Sequence, residues 1–348
     1  MRALTVRPGQ AGSAGVQDVP EPPVADGPLL VETLAIGICG TDLEIAAGDY
    51  GEAPPGEDHL VIGHESLGRV AEAPADSGFA AGDLVVGIVR RPDPVPCANC
   101  AVGEWDMCRN GRYTERGIKG LHGYASERYR ISPDFAVALD PALSQVGVLL
   151  EPTTVVAKAW DHIERIGHRV HWEPRTVAVT GAGPIGLLAA LLGVQRGLEV
   201  HVLDVVEHGV KPELTRALGA EYHTQPIGEI GLAPDVIVEC SGVPSVVMDV
   251  LYQSGHDGVV CLTGVSPRGR NVTVDAGALG REIVLENDAI FGSVNANRAH
   301  YEQAAQALAD ADTGWLERLI TRRVPLDGYA DALQRHAEDV KVVLEMQA

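Results

Sequence analysis

Apolar and polar positions follow two different periods in the two parts of the chain. Residues 1–35 alternate apolar and polar, broken by Pro20, Pro22, Pro23 and Pro28. That pattern predicts short antiparallel strands. Leu84, Val85 and Val86, after the Gly82-Asp83 turn, predict another. Up to about residue 150 the chain reads as an all-β region rich in Gly and Pro. From about residue 155 helix and strand patterns alternate. Residues 153–167 predict a helix carrying Ala157, Ala159, Trp160 and Ile163. Apolar, β-branched runs predict strands at 176–180, 199–204, 235–240, 258–263 and 289–294. A helix is predicted over 299–312 and a last strand over 340–346. Regular alternation of this kind implies a parallel, doubly wound sheet, so the fold class is α/β plus β.

One turn in that alternation carries chemistry. The apolar run 176–180 stops at Gly181-Ala182-Gly183-Pro184-Ile185-Gly186, and a helical apolar pattern follows from Leu187. Gly181 permits the tight turn, Gly183 lets a pyrophosphate approach the backbone, and Gly186 lets helix and strand pack closely. The helix N-terminus then offers unpaired N–H groups to phosphate. Asp204 ends the next strand 18 residues past Gly186, where a carboxylate meets the adenosine ribose. The motif alone is also compatible with an ordinary glycine turn in an α/β protein.

With 348 residues and 45% apolar content, the chain can build two domains with a sizeable core. A net charge of −21 argues against nucleic acid as a partner. Four lysines occur, Lys119, Lys158, Lys211 and Lys341, which suits either a high-salt surface or a GC-rich genome. No apolar run reaches membrane-span length, and the N-terminus lacks the apolar core of a signal peptide, so the expected location is cytoplasmic.

Three of the six cysteines, Cys97, Cys100 and Cys108, fall within twelve residues, a spacing that favours metal over disulfide. They predict a structural zinc site lacking its fourth ligand; Pro94 cannot bind metal and Asp93 can. A loop without metal is the alternative. Cys240 and Cys261 sit in apolar runs and read as small buried hydrophobes. Cys39, His64 and Glu65, with Glu151 further on, are candidate ligands of a catalytic zinc with an open position. Asp42 is the candidate to orient His64.

The order GxxCGTD at 37–42, GHE at 63–65, a cysteine-rich loop and GxGxxG resembles the zinc-dependent medium-chain dehydrogenases and reductases over nearly the whole chain. Within them the chain is most similar to archaeal-type glucose 1-dehydrogenases. The longer matches are GEDHLVIGHE at 56–65, VRRP at 89–92, ERGIKGLHGYASE at 115–127, LLEP at 149–152 and GSVNAN at 292–297. The resemblance implies a GroES-like catalytic domain over 1–155, to which 298–348 returns, and a Rossmann domain over 156–297. It implies catalytic zinc at Cys39, His64 and Glu65, with Glu151 as a further ligand or sugar contact. Thr41 would bond the reacting hydroxyl, and Glu44 would take the next step of a proton relay. Glu115 and Asn295 would contact sugar hydroxyls. Pro184, Ile185, Gly186 and Leu187, Leu262, Thr263 and Gly264, and Ser293, Val294 and Asn295 would line the cofactor. Lys341 stands where the family has a base that pairs with the acid after the zinc histidine, here Glu65.

The implied reaction is oxidation of a cyclic aldose, glucose foremost, at C1, with a homodimer or homotetramer as the assembly. A polyol, cyclitol or secondary-alcohol dehydrogenase is the nearest alternative, and a catalytically silent NAD-binding redox sensor is the second. A zinc-free quinone reductase on the same fold is disfavoured, because Cys39, Thr41, His64, Glu65 and Glu151 occur together. Three departures from the family pattern matter. The loop's first thiol falls on Pro94, the sugar-contacting Asp expected after Glu151 is Val155, and no Arg follows Asp204 in the run Asp204-Val205-Val206-Glu207. That last run predicts NAD over NADP, since Asp204 and Glu207 repel a 2′-phosphate and only His208 and Lys211 are nearby cations.

Overall fold

The computed structural model describes residues 1–266 and 269–347; Ala348, the last residue of the expected returning tail, lies outside the described residues. The chain forms two compact units, Met1–Glu151 with Ala296–Ala348, and Pro152–Asn295. In the first, a seven-stranded sheet runs in the order Ala136–Leu139, Leu84–Gly87, Glu65–Glu72, Leu29–Ile38, Lys341–Glu345, Ile320–Pro325, and Arg128–Ile131 also pairs with Leu29–Ile38. The strand Lys341–Glu345 is interior to this sheet, between Leu29–Ile38 and the edge strand Ile320–Pro325, with Val342 opposite Ile38. That insertion carries Lys341 to the strand that leads into Cys39. Leu4, Leu29, Ile36, Ile45, Leu60 and Ile62 fill the core beneath it.

The helix Gly40–Ala47 interrupts what the sequence pattern presents as an all-β region. At eight residues it is too short for a clear 3.6-residue period. Its ends define it instead. The Cys39 sulfur accepts from the Thr41 N–H at 3.3 Å, and the Asp42 carboxylate accepts from the Cys39 N–H at 3.0 Å, a reciprocal cap.

The second unit holds a six-stranded parallel sheet in the order Glu221–His223, Glu199–Leu203, Thr176–Thr180, Val236–Glu239, Val259–Leu262, Ala289–Gly292. Counted along the chain this is the 3-2-1-4-5-6 order of a Rossmann fold. The sequence pattern presents five of these strands. Glu221–His223 escapes it, because three residues with one apolar side chain carry no alternation. The helix Pro184–Gln195 packs close against the first strand only because position 186 is glycine; a Cβ there would stand 1.7 Å from the Gly181 carbonyl oxygen. The helix Leu150–Gly167 starts ahead of its predicted first residue, which puts Glu151 in its first turn. Pro152 is tolerated there because first-turn N–H groups have no intrahelical partner.

Candidate functional site

Three strand ends of the first unit meet around Cys39. The strand Leu29–Ile38 runs into Cys39, His64 immediately precedes the strand Glu65–Glu72, and Lys341 begins the strand Lys341–Glu345. Gly37 lies opposite Glu65, and a Cβ at Gly37 would fall 2.0 Å from a Glu65 carboxylate oxygen, so glycine makes the room for that acid. The Cys39 sulfur is 3.1 Å from His64 Nε2. Ligand atoms of Cys39, His64 and Glu65 all lie within 4.8 Å of one another. Asp42 Oδ1 stands 3.4 Å from His64 Nδ1. Both atoms are buried and make no other hydrogen bond among the described residues. Lys341 donates to the Glu65 carboxylate and, at 3.2 Å, to the Ile38 carbonyl.

Negative charge dominates this pocket. Burial works against a charged His64, but the Cys39 thiolate and the Asp42 carboxylate outweigh it and hold its pKa well above the usual imidazole value. Burial likewise opposes the Lys341 ammonium, and Glu65 and Cys39 more than offset it. Burial pushes Glu151 up to about 7, with Glu65 and Asp42 adding to the effect and His64 and Lys341 opposing it. A thiolate, an imidazole and a carboxylate, buried and converging where a proton is drawn onto the imidazole, fit a zinc ion that would displace that proton.

The other expected residues of this unit sit as follows. Thr41 is half-buried in the first turn of the helix Gly40–Ala47, and Glu44 is exposed one turn on. Glu115, expected as a sugar contact, is buried in an ion pair; Arg90 Nε and Nη2 donate to its Oε1 at 3.1 and 2.9 Å. The same guanidinium donates to the Asp106 carbonyl at 2.8 Å and lies 3.8 Å from the Tyr113 ring centroid. Arg90 is thus a member of this group that residue-by-residue reading did not single out, although VRRP was among the strings that matched.

In the cysteine loop, the sulfurs of Cys97 and Cys100 lie 3.6 Å apart, and Cys108 completes a triad within 4.8 Å. The backbone N–H of Arg109 holds the Cys97 thiol down at about 6. Asp93 is outside that triad. Its Oδ1 accepts from the Val95 N–H at 2.8 Å, and its Oδ2 is buried without a hydrogen-bond partner among the described residues. A thiol that ionises near neutral pH and an orphaned carboxylate oxygen suit a cation in this loop.

In the second unit the expected cofactor residues gather at the carboxyl ends of the parallel strands. Gly181 turns with φ +90, and Pro184, Ile185, Gly186 and Leu187 form the first turn of their helix. Asp204 follows the strand Glu199–Leu203; its Oδ2 accepts from the Ala182 N–H at 2.7 Å and its Oδ1 from the Val206 N–H at 3.0 Å. Lys211, a full turn away in sequence, reaches Asp204 Oδ2 at 3.1 Å from the first turn of the helix Val210–Ala217. Asp204, Val206 and Lys211 line a cleft of about 470 Å³. Leu262 closes its strand, Thr263 Oγ1 donates to the Glu239 carbonyl at 2.8 Å, and the Gly264 N–H donates to the same carbonyl at 3.0 Å. Ser293 is buried, Val294 is exposed, and Asn295 adopts φ +62.

Glu239, fully buried, accepts from Thr180 Oγ1 at 3.3 Å and the Ser241 N–H at 2.7 Å, bracing the loop after its strand. An acid ending an apolar strand was its only signal in the sequence. Burial pushes the Cys240 thiol up to about 12, and Cys261 also rises, as packed hydrophobes should.

A Rossmann unit joined in one chain to a β unit with a Cys–His–Glu pocket is the architecture of the medium-chain dehydrogenases. Residues 25–141 match the alcohol dehydrogenase GroES-like domain, and residues 144–346 match the family described as glucose dehydrogenase C-terminus. The chain belongs to the zinc-dependent medium-chain dehydrogenase and reductase family, in its glucose dehydrogenase branch. It is 40% identical to a glucose 1-dehydrogenase of Methanocella arvoryzae, covering 100% of both chains. It is 38% identical to that of Thermoproteus tenax, again over 100% of each. Among solved structures it is similar to Haloferax mediterranei glucose dehydrogenase in complex with NADP, Zn and gluconolactone, with TM-score 0.92, 32% identity and 100% of each chain covered.

Proposed function

We propose that the protein is a zinc-dependent glucose 1-dehydrogenase, oxidising C1 of a cyclic aldose to the lactone and passing hydride to C4 of a nicotinamide. The convergence of Cys39, His64 and Glu65, in a chain similar over its full length to a gluconolactone-binding relative, carries this reading. A zinc ion held by these three residues supplies a Lewis acid that lowers the pKa of the sugar hydroxyl. Asp42 orients His64, and Lys341 holds the Glu65 carboxylate. Thr41 hydrogen-bonds the reacting hydroxyl and relays its proton, accepting it as its own O–H proton passes towards Glu44, whose exposure opens the relay to water. Glu151 supplies a further ligand or sugar contact. The catalytic residues 1–155 and the tail 298–348 act as one domain and 156–297 as the other. No helix among the described residues is long and apolar enough to cross a membrane. A cytoplasmic homodimer or homotetramer completes the reading, and light scattering distinguishes the two assemblies.

Glu115 and Asn295 read sugar hydroxyls in this scheme, with Arg90 fixing the Glu115 carboxylate. Glu115→Gln should lower kcat/KM for glucose by about 10–100-fold, the worth of one hydrogen bond to a charged group. A simple secondary alcohol should be affected little. Rates on glucose, galactose, xylose and that alcohol make the comparison. Equal loss on every substrate would make the Arg90–Glu115 pair purely structural. A wild-type preference for the simple alcohol or for a polyol would overturn the sugar assignment.

The cofactor is NAD in preference to NADP. Asp204 and Glu207 repel a 2′-phosphate, and the nearest ammonium, Lys211, is already committed to Asp204. Lys211→Ala strips the Asp204 carboxylate of its counter-charge and should reduce NADP⁺ use roughly tenfold while leaving NAD⁺ within a few-fold. Wild-type kcat/KM higher with NADP⁺ than with NAD⁺ would contradict the preference.

A structural zinc at Cys97, Cys100 and Cys108, completed from the side of Asp93, accompanies the catalytic ion. Elemental analysis should find two zinc ions per chain and about one in Cys97→Ser, with Tm lowered by several degrees. One ion per wild-type chain, with Cys97→Ser harmless to Tm, removes this site.

A further inference from the structure

The edge of the Rossmann sheet carries a further group of metal-ligating side chains, apart from the two cysteine-containing sites. Strands Glu199–Leu203 and Glu221–His223 run parallel, with His201 opposite Glu221 and Leu203 opposite His223. Side chains alternate along a strand, so Glu199, His201, Glu221 and His223 share one face of the sheet. His201 Nδ1 lies 3.0 Å from His223 Nε2 and 3.6 Å from Glu221 Oε2. Ligand atoms of His201, Glu221 and His223 all fall within 4.8 Å of one another. The second nitrogen of His201, Nε2, is buried and makes no hydrogen bond among the described residues, with Glu199 Oε1 3.3 Å away.

Two imidazole nitrogens facing each other can share only one proton, and a carboxylate stands beside them. A cation in that gap satisfies all three lone pairs at once. We propose that His201 Nδ1, His223 Nε2 and a Glu221 carboxylate oxygen bind a divalent transition-metal ion, of the zinc or nickel kind, distinct from the Cys39 and Cys97 sites. Two imidazoles and a carboxylate without thiolate are the donors such ions take. With Nδ1 on the metal, His201 Nε2–H turns to Glu199, the carboxylate that fixes the tautomer of a ligating histidine. Burial, reinforced by His201, lowers the His223 pKa against the pull of Glu221, which keeps that ring neutral and able to ligate near pH 7. The ion would tie a three-residue edge strand to the sheet. The Asp204 N–H donates to the His223 carbonyl at 3.1 Å, and Thr224 and Gln225 line the same cleft as Asp204, so the tie reaches the cofactor side.

The test is calorimetric titration with Ni²⁺ at pH 7.5 of tag-free enzyme whose zinc content is two ions per chain, those of the Cys39 and Cys97 sites, with no excess zinc present. His223→Gln should take up one equivalent fewer per chain than wild type, and Glu221→Gln should bind that equivalent at least tenfold more weakly. Ni²⁺ at about a hundred times its Kd should raise the wild-type Tm by roughly 5 °C, and the His223→Gln Tm by much less. Both substituted side chains are near the sheet's surface, so the variants should fold. Equal stoichiometry in wild type and His223→Gln, or no Ni²⁺ uptake by wild type, overturns the site and leaves a proton-sharing histidine pair.

Discussion

Cys39→Ser is expected to lower kcat/KM by about three orders of magnitude, some 4 kcal/mol of transition-state stabilisation, while the fold survives. The expectation rests on two separate jobs of one side chain. The sulfur is the thiolate donor of the proposed zinc pocket, 3.1 Å from His64 Nε2, and it is also the N-cap of the helix Gly40–Ala47. Serine caps a helix well but is a poor zinc ligand, so the substitution separates the two jobs. Circular dichroism and Tm should stay near native while bound zinc and turnover fall together. His64→Ala should match it in activity, with a larger loss of stability, because it strips the buried Asp42 carboxylate of its facing ring. Asp42→Asn should cost about 10–100-fold in metal affinity or rate, as loss of an orienting carboxylate does. Metal-free protein that oxidises sugar at the native rate would sink the zinc assignment.

The second large effect is on stability. Lys341→Met should cost about 3–5 kcal/mol, the usual result of leaving one member of a buried ion pair behind. Lys341 is 1% exposed and Glu65 2%, and the ammonium bonds both that carboxylate and the Ile38 carbonyl. Methionine keeps most of the stem volume, so the loss reports the charge rather than a cavity. Thermal unfolding in the presence of chelator should show a Tm lower by roughly 10 °C. Saturating zinc should restore part of it, since a bound cation supplies the missing positive charge. Adding Glu65→Gln to Lys341→Met should also recover part of the loss. A change below about 1 kcal/mol would mean that Glu65 finds another partner.

Local patterns were enough for much of this protein. A run of apolar and β-branched residues, a glycine turn and an apolar helix make a strand–turn–helix unit legible from a short window, because Gly181 and Gly186 answer to φ and close approach within a few residues. The strands of the second unit were legible because a strand buried on both faces is a continuous apolar run. Glu221–His223 was not, since an edge strand of three residues has one neighbour and needs little apolar surface. The helix Gly40–Ala47 hid inside a β pattern, because its stability lies in side-chain caps rather than in an apolar stripe.

By itself the sequence determined the two fold patterns, the family and the residue types able to hold zinc, all properties carried by short windows and by matching strings. Only the tertiary structure decided who pairs with whom. It brought Lys341 to Glu65 across 276 positions, Arg90 to Glu115 across 25, and Lys211 to Asp204 across 7. It also put His201 and His223 on one face of the sheet. Ion pairs and ligand sets depend on distances of about 3 Å, which are fixed by strand register and helix docking and leave no periodic trace along the chain.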